Sequence, residues 1–126
     1  MLVASLQYQK TITLFKALKN KKMETQLEQT DVKNIIENNS NVLLDFYADW
    51  CGPCQTLLPT IHKLADELKE EVIIKKVNVD DYQELAAEFS IRNIPTLIFF
   101  KDGKATDRHT GLITERNLRQ KIDRLK

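Results

Sequence analysis

The sequence predicts an α/β domain in which helices cover both faces of a central mixed β-sheet. Two observations support this fold class. Short apolar runs rich in strand-forming residues alternate with segments of helical period, which predicts parallel crossovers and helices on both faces. Near the end of the chain, the turn sequence KDGK (101–104) predicts an antiparallel hairpin. The sheet is therefore expected to be mixed.

The first half of the chain contains the longest helical pattern. Residues 26–29 are interpreted as a short edge strand, and residues 31–38 as a helix. The run VLLDFYA (42–48) has the composition of a strand that is buried on both faces. A long amphipathic helix is predicted over residues 53–71, with an expected kink at Pro59. Its apolar stripe consists of Leu57, Ile61, Leu64 and Leu68.

Two further apolar runs, residues 72–80 and 95–100, are interpreted as the next strands. A short helix between them is expected to be capped by Asp80 or Asp81, because a carboxylate accepts hydrogen bonds from the free N–H groups of a helix start. After the second of these strands, the hairpin turn leads into a last strand.

The last strand is predicted to run through about His109, and a helix follows it to the end of the chain. Thr114 is expected to cap this helix through its hydroxyl oxygen. The apolar residues of the helix recur at helical spacing and predict one buried stripe. The stripe consists of Leu118, Ile122 and Leu125.

One domain is expected to account for most of the 126 residues, because a chain of this length buries a core without metal or several disulfides. Residues 1–22 carry five lysines and no acidic residue, whereas the whole chain has a net charge of +1. They are interpreted as a basic N-terminal extension that precedes a domain over residues 23–126. An amphipathic helix, a targeting peptide, an unstructured extension and a start at Met23 all remain open for this segment.

Both cysteines of the chain lie in the segment WCGPC (50–54). Cys51 is expected at the start of the long helix, where unpaired backbone N–H groups stabilise an anionic thiolate. Cys54 lies one turn further along, at a separation that a disulfide bridges easily. Pro53 suits the first helical turn, and Gly52 leaves room for the backbone of a partner protein. The pair is therefore interpreted as a redox couple.

Two other uses of the cysteine pair fit less well. A structural bridge across so short a loop removes only about 1.9 kcal/mol of unfolded-state entropy. A structural zinc site requires four ligands, and the only histidines, His62 and His109, lie in different predicted elements. No metal site is therefore expected.

Residues near the cysteines favour the redox interpretation. Asp45 interrupts an apolar strand, where burial is expected to raise the pKa of its carboxyl toward neutrality. Lys76 is expected to approach Asp45 from the neighbouring strand. Trp50 directly precedes Cys51 and is expected at an exposed rim, because the helix start must admit a partner. These expectations describe a site that exchanges both electrons and protons.

These residues resemble the thioredoxin family. The segment DFYADWCGPC (45–54) is similar to the active-site segment of that family almost position for position. The segment IRNIPTLIFFKDGK (91–104) resembles its second signature, and TGL (110–112) its later glycine loop. The resemblance extends from about residue 25 to residue 126 and implies the thioredoxin fold.

The resemblance also implies a role for each residue. Cys51 would attack a substrate disulfide, and Cys54 would be the buried resolving cysteine. Asp45, with Lys76 as its neighbour, would be the internal acid and base that helps to deprotonate Cys54. Pro95 would be cis and pack against the disulfide, and the Ile94 backbone would bond to an extended substrate segment. The substrate-binding residues would be Trp50, Gly52, Pro53, Ile94, Pro95, Gly111 and Leu112.

The sequence thus predicts a protein disulfide reductase that works by dithiol–disulfide exchange, with the Cys51–Cys54 disulfide as its redox group and no cofactor. Expected partners are disulfide-containing proteins and a thioredoxin-reductase-type electron donor, since no flavin or nicotinamide motif is present. No transmembrane segment and no nucleic-acid partner are expected. A cytoplasmic monomer is predicted, with organelle targeting by residues 1–22 left open.

Two alternatives to the reductase remain at this point. The first is a disulfide oxidase or isomerase, which the Gly-Pro pair between the cysteines disfavours because relatives of that kind generally carry histidine there. The second is a docking subunit that binds a partner through the surface around Trp50 and Pro95 whatever its redox state.

Overall fold

The computed structural model describes residues 31–126, and Val32–Lys126 form one compact unit. The predicted strand over 26–29 and the predicted boundary between residues 22 and 23 lie outside the described residues. The elements are α1 (31–38), β1 (Asn41–Tyr47), α2 (Gly52–Glu67), β2 (Ile73–Asn78), α3 (Gln83–Glu88), β3 (Thr96–Lys101), β4 (Lys104–Thr110) and α4 (Glu115–Leu125). Within residues 31–126, no helix has the length and apolar character needed to span a bilayer.

The described strands form one mixed sheet in the order β2-β1-β3-β4. β1 and β2 are parallel, as the predicted crossover through α2 requires, and β3 and β4 form the predicted antiparallel hairpin. The sequence also predicted a parallel crossover through α3. This prediction is wrong, because β3 runs antiparallel to β1. A six-residue helix spans only about 9 Å, less than half of the roughly 20 Å length of a six-residue strand. The chain therefore enters β3 beside the end of β1, where Thr96 pairs with Phe46.

Alternate side chains of β1 divide between two cores, so helices cover both faces of the sheet as predicted. Leu43 packs with residues of α2 and α4, whereas Leu44 and Phe46 pack with residues of α1 and α3. The predicted helix stripes are buried except for Leu68, which is partly buried against the same core. Their buried members are Leu57, Ile61, Leu64, Leu118, Ile122 and Leu125.

The predicted turn and cap of the second half are confirmed. Asp102 and Gly103 have φ angles of 50° and 84°, the left-handed conformation that a tight hairpin turn requires at both central positions. The Thr114 hydroxyl accepts a hydrogen bond from the Asn117 N–H at 3.1 Å, so this threonine caps α4.

Two expectations about helix ends are wrong. The residue that precedes α3 is Tyr82, which makes no side-chain capping bond, rather than Asp80 or Asp81. The Asn78 side chain accepts the Asp80 N–H at 2.9 Å and holds residues 78–81 in a turn of their own. The long helix α2 ends at Glu67 rather than at residue 71, because a separate turn follows Leu68.

Substitution of the α4 cap tests this assignment. Thr114→Ala is expected to lower the free energy of unfolding by about 1 kcal/mol, because a helix N–H loses its acceptor. Thr114→Ser keeps the hydroxyl and is the matched control. Urea denaturation of the disulfide-bonded protein measures both variants. Equal stability of the alanine and serine variants would contradict the cap.

Candidate active site

The connection between β1 and α2 places the cysteine pair at a helix start, as predicted. Cys51 is the N-cap residue of α2, and its N–H donates to the Ala48 carbonyl at 3.2 Å. Pro53 lies in the first turn, where its missing N–H leaves no bond unmade. Gly52 and Pro53 are exposed, and a Cβ atom at Gly52 would meet no atom within 4 Å. The surface in front of Cys51 is therefore open.

Cys51 and Cys54 form a disulfide, with their Cα atoms 5.2 Å apart. The Cys54 N–H donates to the Cys51 Sγ at 3.2 Å, so the helix end directs a partial positive charge at that sulfur. Cys51 is 5% exposed and Cys54 is fully buried. Only the Cys51 side of the disulfide is thus reachable from solvent.

The predicted cis-proline loop lies beside the disulfide, and the predicted glycine loop is bonded to it. The Ile94–Pro95 peptide bond is cis, which confirms that expectation. The Ile94 carbonyl oxygen is 3.8 Å from the Cys51 Sγ. The Pro95 carbonyl accepts the Gly111 N–H at 2.8 Å. The structure thus connects Cys51, Ile94, Pro95 and Gly111 through direct contacts.

Trp50 and Leu112 are the large apolar side chains that the described part of the chain leaves exposed, by 73% and 56%. The expectation of an exposed Trp50 is therefore confirmed. Its indole N–H donates to the Asp80 carboxylate at 2.9 Å, which fixes the ring beside the helix start. No local sequence pattern indicates this pairing, because the two residues lie on different loops. A second missed residue is Asn78, whose buried amide contacts Asp49 at 3.5 Å and bonds to the turn that carries Asp80.

Asp45 is fully buried, and neither carboxyl oxygen has a hydrogen-bond partner among the described residues. Burial raises the pKa of this carboxyl from its ordinary value of 3.8 to about 7, against the opposing effect of the Lys76 charge. Two positions after Leu43 on β1, Asp45 shares the face of the sheet that α2 covers. The carboxyl therefore lies under the helix that carries Cys54 and changes its protonation near neutral pH.

Lys76 pairs with Asp45 in the register of the two parallel strands, as expected. Its side chain is exposed, and its Nζ atom lies 5.4 Å from the centroid of the Tyr47 ring. The lysine thus acts on the Asp45 carboxyl through its charge rather than through a hydrogen bond.

Within residues 31–126, no three histidine, cysteine or acidic side chains are grouped closely enough to hold a metal ion. His62 is exposed on α2, and His109 lies on β4 with its Nε2 atom 3.1 Å from the Leu112 carbonyl oxygen.

The chain is similar to proteins of a known family. The family model described as Thioredoxin matches residues 9–124. The thioredoxin of Chlorobaculum thiosulfatiphilum is 42% identical over 89 residues, which cover 71% of this chain and 82% of that relative. The thioredoxin of Mycoplasmoides gallisepticum is 39% identical over 92 residues, covering 73% of this chain and 91% of the relative.

Solved structures agree with the sequence relatives. The X-ray structure of Fasciola hepatica thioredoxin is 41% identical and superimposes with a TM-score of 0.71, covering 78% of this chain and 94% of that chain. The predicted fold class is therefore confirmed as the thioredoxin fold. By family model, relatives and structure, the chain belongs to the thioredoxin family.

Proposed function

We propose that the protein reduces disulfide bonds of other proteins by dithiol–disulfide exchange at Cys51 and Cys54. One observation carries this function: at a helix start, a disulfide joins a cysteine that is 5% exposed to one that is fully buried. A disulfide between two cysteines so close in sequence adds little to the stability of the fold. Its position at a helix start instead suits a Cys51 sulfur that attacks other sulfurs and is attacked by them.

In the first step, the reduced protein attacks through the Cys51 thiolate. The Cys54 N–H and the free N–H groups of the α2 start favour the negative charge on that sulfur. A bond forms between Cys51 and one substrate sulfur while the substrate disulfide breaks. The departing substrate sulfur takes up a proton, and the product is a mixed disulfide.

In the second step, Cys54 loses its proton and attacks the Cys51 sulfur. The Cys51–Cys54 bond forms, the mixed disulfide breaks, and the second substrate sulfur leaves as a thiol. Two electrons have then passed from the protein to the substrate, and the two protons taken up by the substrate sulfurs balance the two that Cys51 and Cys54 released. Asp45 is the proton acceptor for Cys54, because its pKa of about 7 lets it bind and release a proton at neutral pH.

Substrate binds as an extended segment beside Cys51. The Ile94 backbone, 3.8 Å from the Cys51 sulfur, supplies hydrogen bonds to that segment, and the cis peptide at Pro95 presents it. The exposed side chains of Trp50 and Leu112 supply apolar contact. The remaining members of this surface are Gly52, Pro53 and Gly111.

The oxidised protein requires an electron donor to start another cycle. A reductase of the kind that serves thioredoxins is proposed for this task, because the chain has only three glycines and no dinucleotide-binding motif. The proposed compartment is the cytoplasm, where the thiol pool keeps such a couple reduced, and the proposed active form is the monomer.

Substitution of the resolving cysteine tests the order of attack. Cys54→Ser is expected to accumulate covalent complexes with disulfide-containing proteins, because the mixed disulfide forms but is not resolved. Cys51→Ser is the matched control and is expected to form none. Non-reducing electrophoresis after mixing each reduced variant with oxidised insulin measures the complexes. Equal trapping by the two variants, or binding that survives loss of both cysteines, would contradict the mechanism.

A second prediction concerns Asp45 and pH. In the folded protein the carboxyl ionises near pH 7, whereas in the unfolded chain it ionises near 3.8. The cost of the buried charge is therefore absent below about pH 4, increases as pH rises to about 7, and is complete above it. Asp45→Asn removes this cost. Its gain in stability over the parent is expected to be larger at pH 8 than at pH 4 by about 4 kcal/mol.

Urea denaturation of the disulfide-bonded forms at both pH values measures that difference. The same variant is expected to slow the second step at least about tenfold at pH 8, because Cys54 loses its proton acceptor. Quenched-flow detection of the mixed disulfide measures that rate. A stability gain that does not vary with pH, or an unchanged second step, would contradict the role of Asp45.

A further inference from the structure

Two loops contribute to the proposed substrate surface, and one of them contacts Cys51. The Pro95 loop (residues 89–95) contains the Ile94 backbone, and the Gly111 loop (residues 110–114) contains Leu112. A single backbone hydrogen bond, from the Gly111 N–H to the Pro95 carbonyl, joins them directly. Strand β4 lies at one edge of the described sheet and leads into the Gly111 loop. Two consecutive residues of β4, Arg108 and His109, contact the two loops.

Arg108 holds the start of the Pro95 loop. Its Nη1 atom donates to the Ser90 carbonyl at 3.3 Å, and its Nη2 atom donates to the Phe89 carbonyl. These carbonyls follow the last turn of α3, where helical carbonyls lack partners within the helix, and that turn contains no basic residue of its own. The chain reverses at Ser90, whose φ angle is 55°. Arg108 therefore fixes the point at which the chain leaves α3 toward Ile94.

His109 holds the Gly111 loop. Its Nε2 atom lies 3.1 Å from the Leu112 carbonyl oxygen. Because a carbonyl oxygen only accepts, the imidazole donates through an Nε2–H group in this contact. Consecutive strand residues point to opposite faces of a sheet, which lets one short stretch of β4 reach both loops.

We propose that Arg108 and His109 are positioning residues that hold the two loops of the substrate surface in place around Cys51. The inference rests on the proposed function, since it requires that protein substrates bind to both loops. Neither side chain touches the disulfide, so neither takes part in the exchange of sulfur bonds. The rate of reaction with a small disulfide that contacts only Cys51 does not depend on Arg108 and His109. Binding of an extended protein segment depends on both.

Single-turnover kinetics test the proposal. Each pre-reduced variant is mixed with excess oxidised insulin or with hydroxyethyl disulfide, and fluorescence of Trp50, the single tryptophan of the chain, reports oxidation. Arg108→Ala and His109→Ala are each expected to raise the half-saturating insulin concentration about three- to tenfold, the effect of losing one hydrogen-bonded contact. The limiting rate with insulin and the rate with hydroxyethyl disulfide are expected to stay within about twofold of the parent.

Conservative variants separate positioning from a general loss of stability. His109→Gln keeps a side-chain N–H donor and is expected to restore most of the affinity, and Arg108→Lys, with one ammonium in place of a two-pronged donor, only part of it. Lys104→Ala is the matched control, because this lysine is exposed and pairs with Lys101 at the opposite end of β4 from the two loops. Urea midpoints establish that every variant is folded in the assay.

The outcomes are distinct. Unchanged half-saturation by insulin in both alanine variants would overturn the inference, and so would an equal slowing with hydroxyethyl disulfide. Failure of the conservative variants to differ from the alanine variants would also contradict it. Failure of the parent protein to reduce insulin, with normal reaction toward hydroxyethyl disulfide, would instead contradict the proposed function itself.

Discussion

The backbone N–H of Cys54 points at the sulfur of Cys51 because Cys51 is the residue before the first turn of α2. That position is set by packing of later turns of the helix, because Leu57 and Ile61 anchor it on the face of the sheet that holds Leu43. A helix placed in this way cannot slide along the sheet without opening its core. The N–H groups that stabilise a thiolate at the helix start are therefore held in a fixed position by the core beneath the helix.

The same face of the sheet contains a group that weakens the fold. Asp45 is buried without a hydrogen-bond partner in the described chain, and apolar packing on both sides of β1 offsets the cost of its charge. An apolar residue would stabilise the protein more but would not bind a proton. The second step of the proposed mechanism gives this carboxyl a use, because in that step a buried thiol loses its proton to a group within the protein. In the proposed mechanism, stability and activity thus make opposite demands on Asp45.

Periodicity predicted most of the fold, because the strands and helix stripes follow local patterns that burial in the two cores preserves. Asp45 could be identified because it is a charged residue within an apolar strand. The cysteine pair could be identified because it lies at the junction between that strand and the long helix. The direction of β3 could not be predicted, since it depends on how far the short α3 carries the chain. The cap expected from Asp80 or Asp81 was wrong because Tyr82 is the residue that precedes α3, and the Asp80 carboxylate binds the Trp50 indole. The hydrogen bonds from Arg108 to the carbonyls that follow α3 could not be predicted either. They depend on the pairing of β3 with β4, which local sequence patterns do not indicate.

Alkylation of the reduced protein tests the central claim most directly. The rate at which iodoacetamide modifies Cys51 is measured by mass spectrometry from acid to alkaline pH, with an unstructured peptide of the same WCGPC sequence as reference. Stabilisation of the thiolate by the α2 start predicts a half-maximal rate well below about pH 8.5, where an ordinary cysteine ionises. A midpoint equal to or above that of the peptide would contradict the role assigned to the helix end.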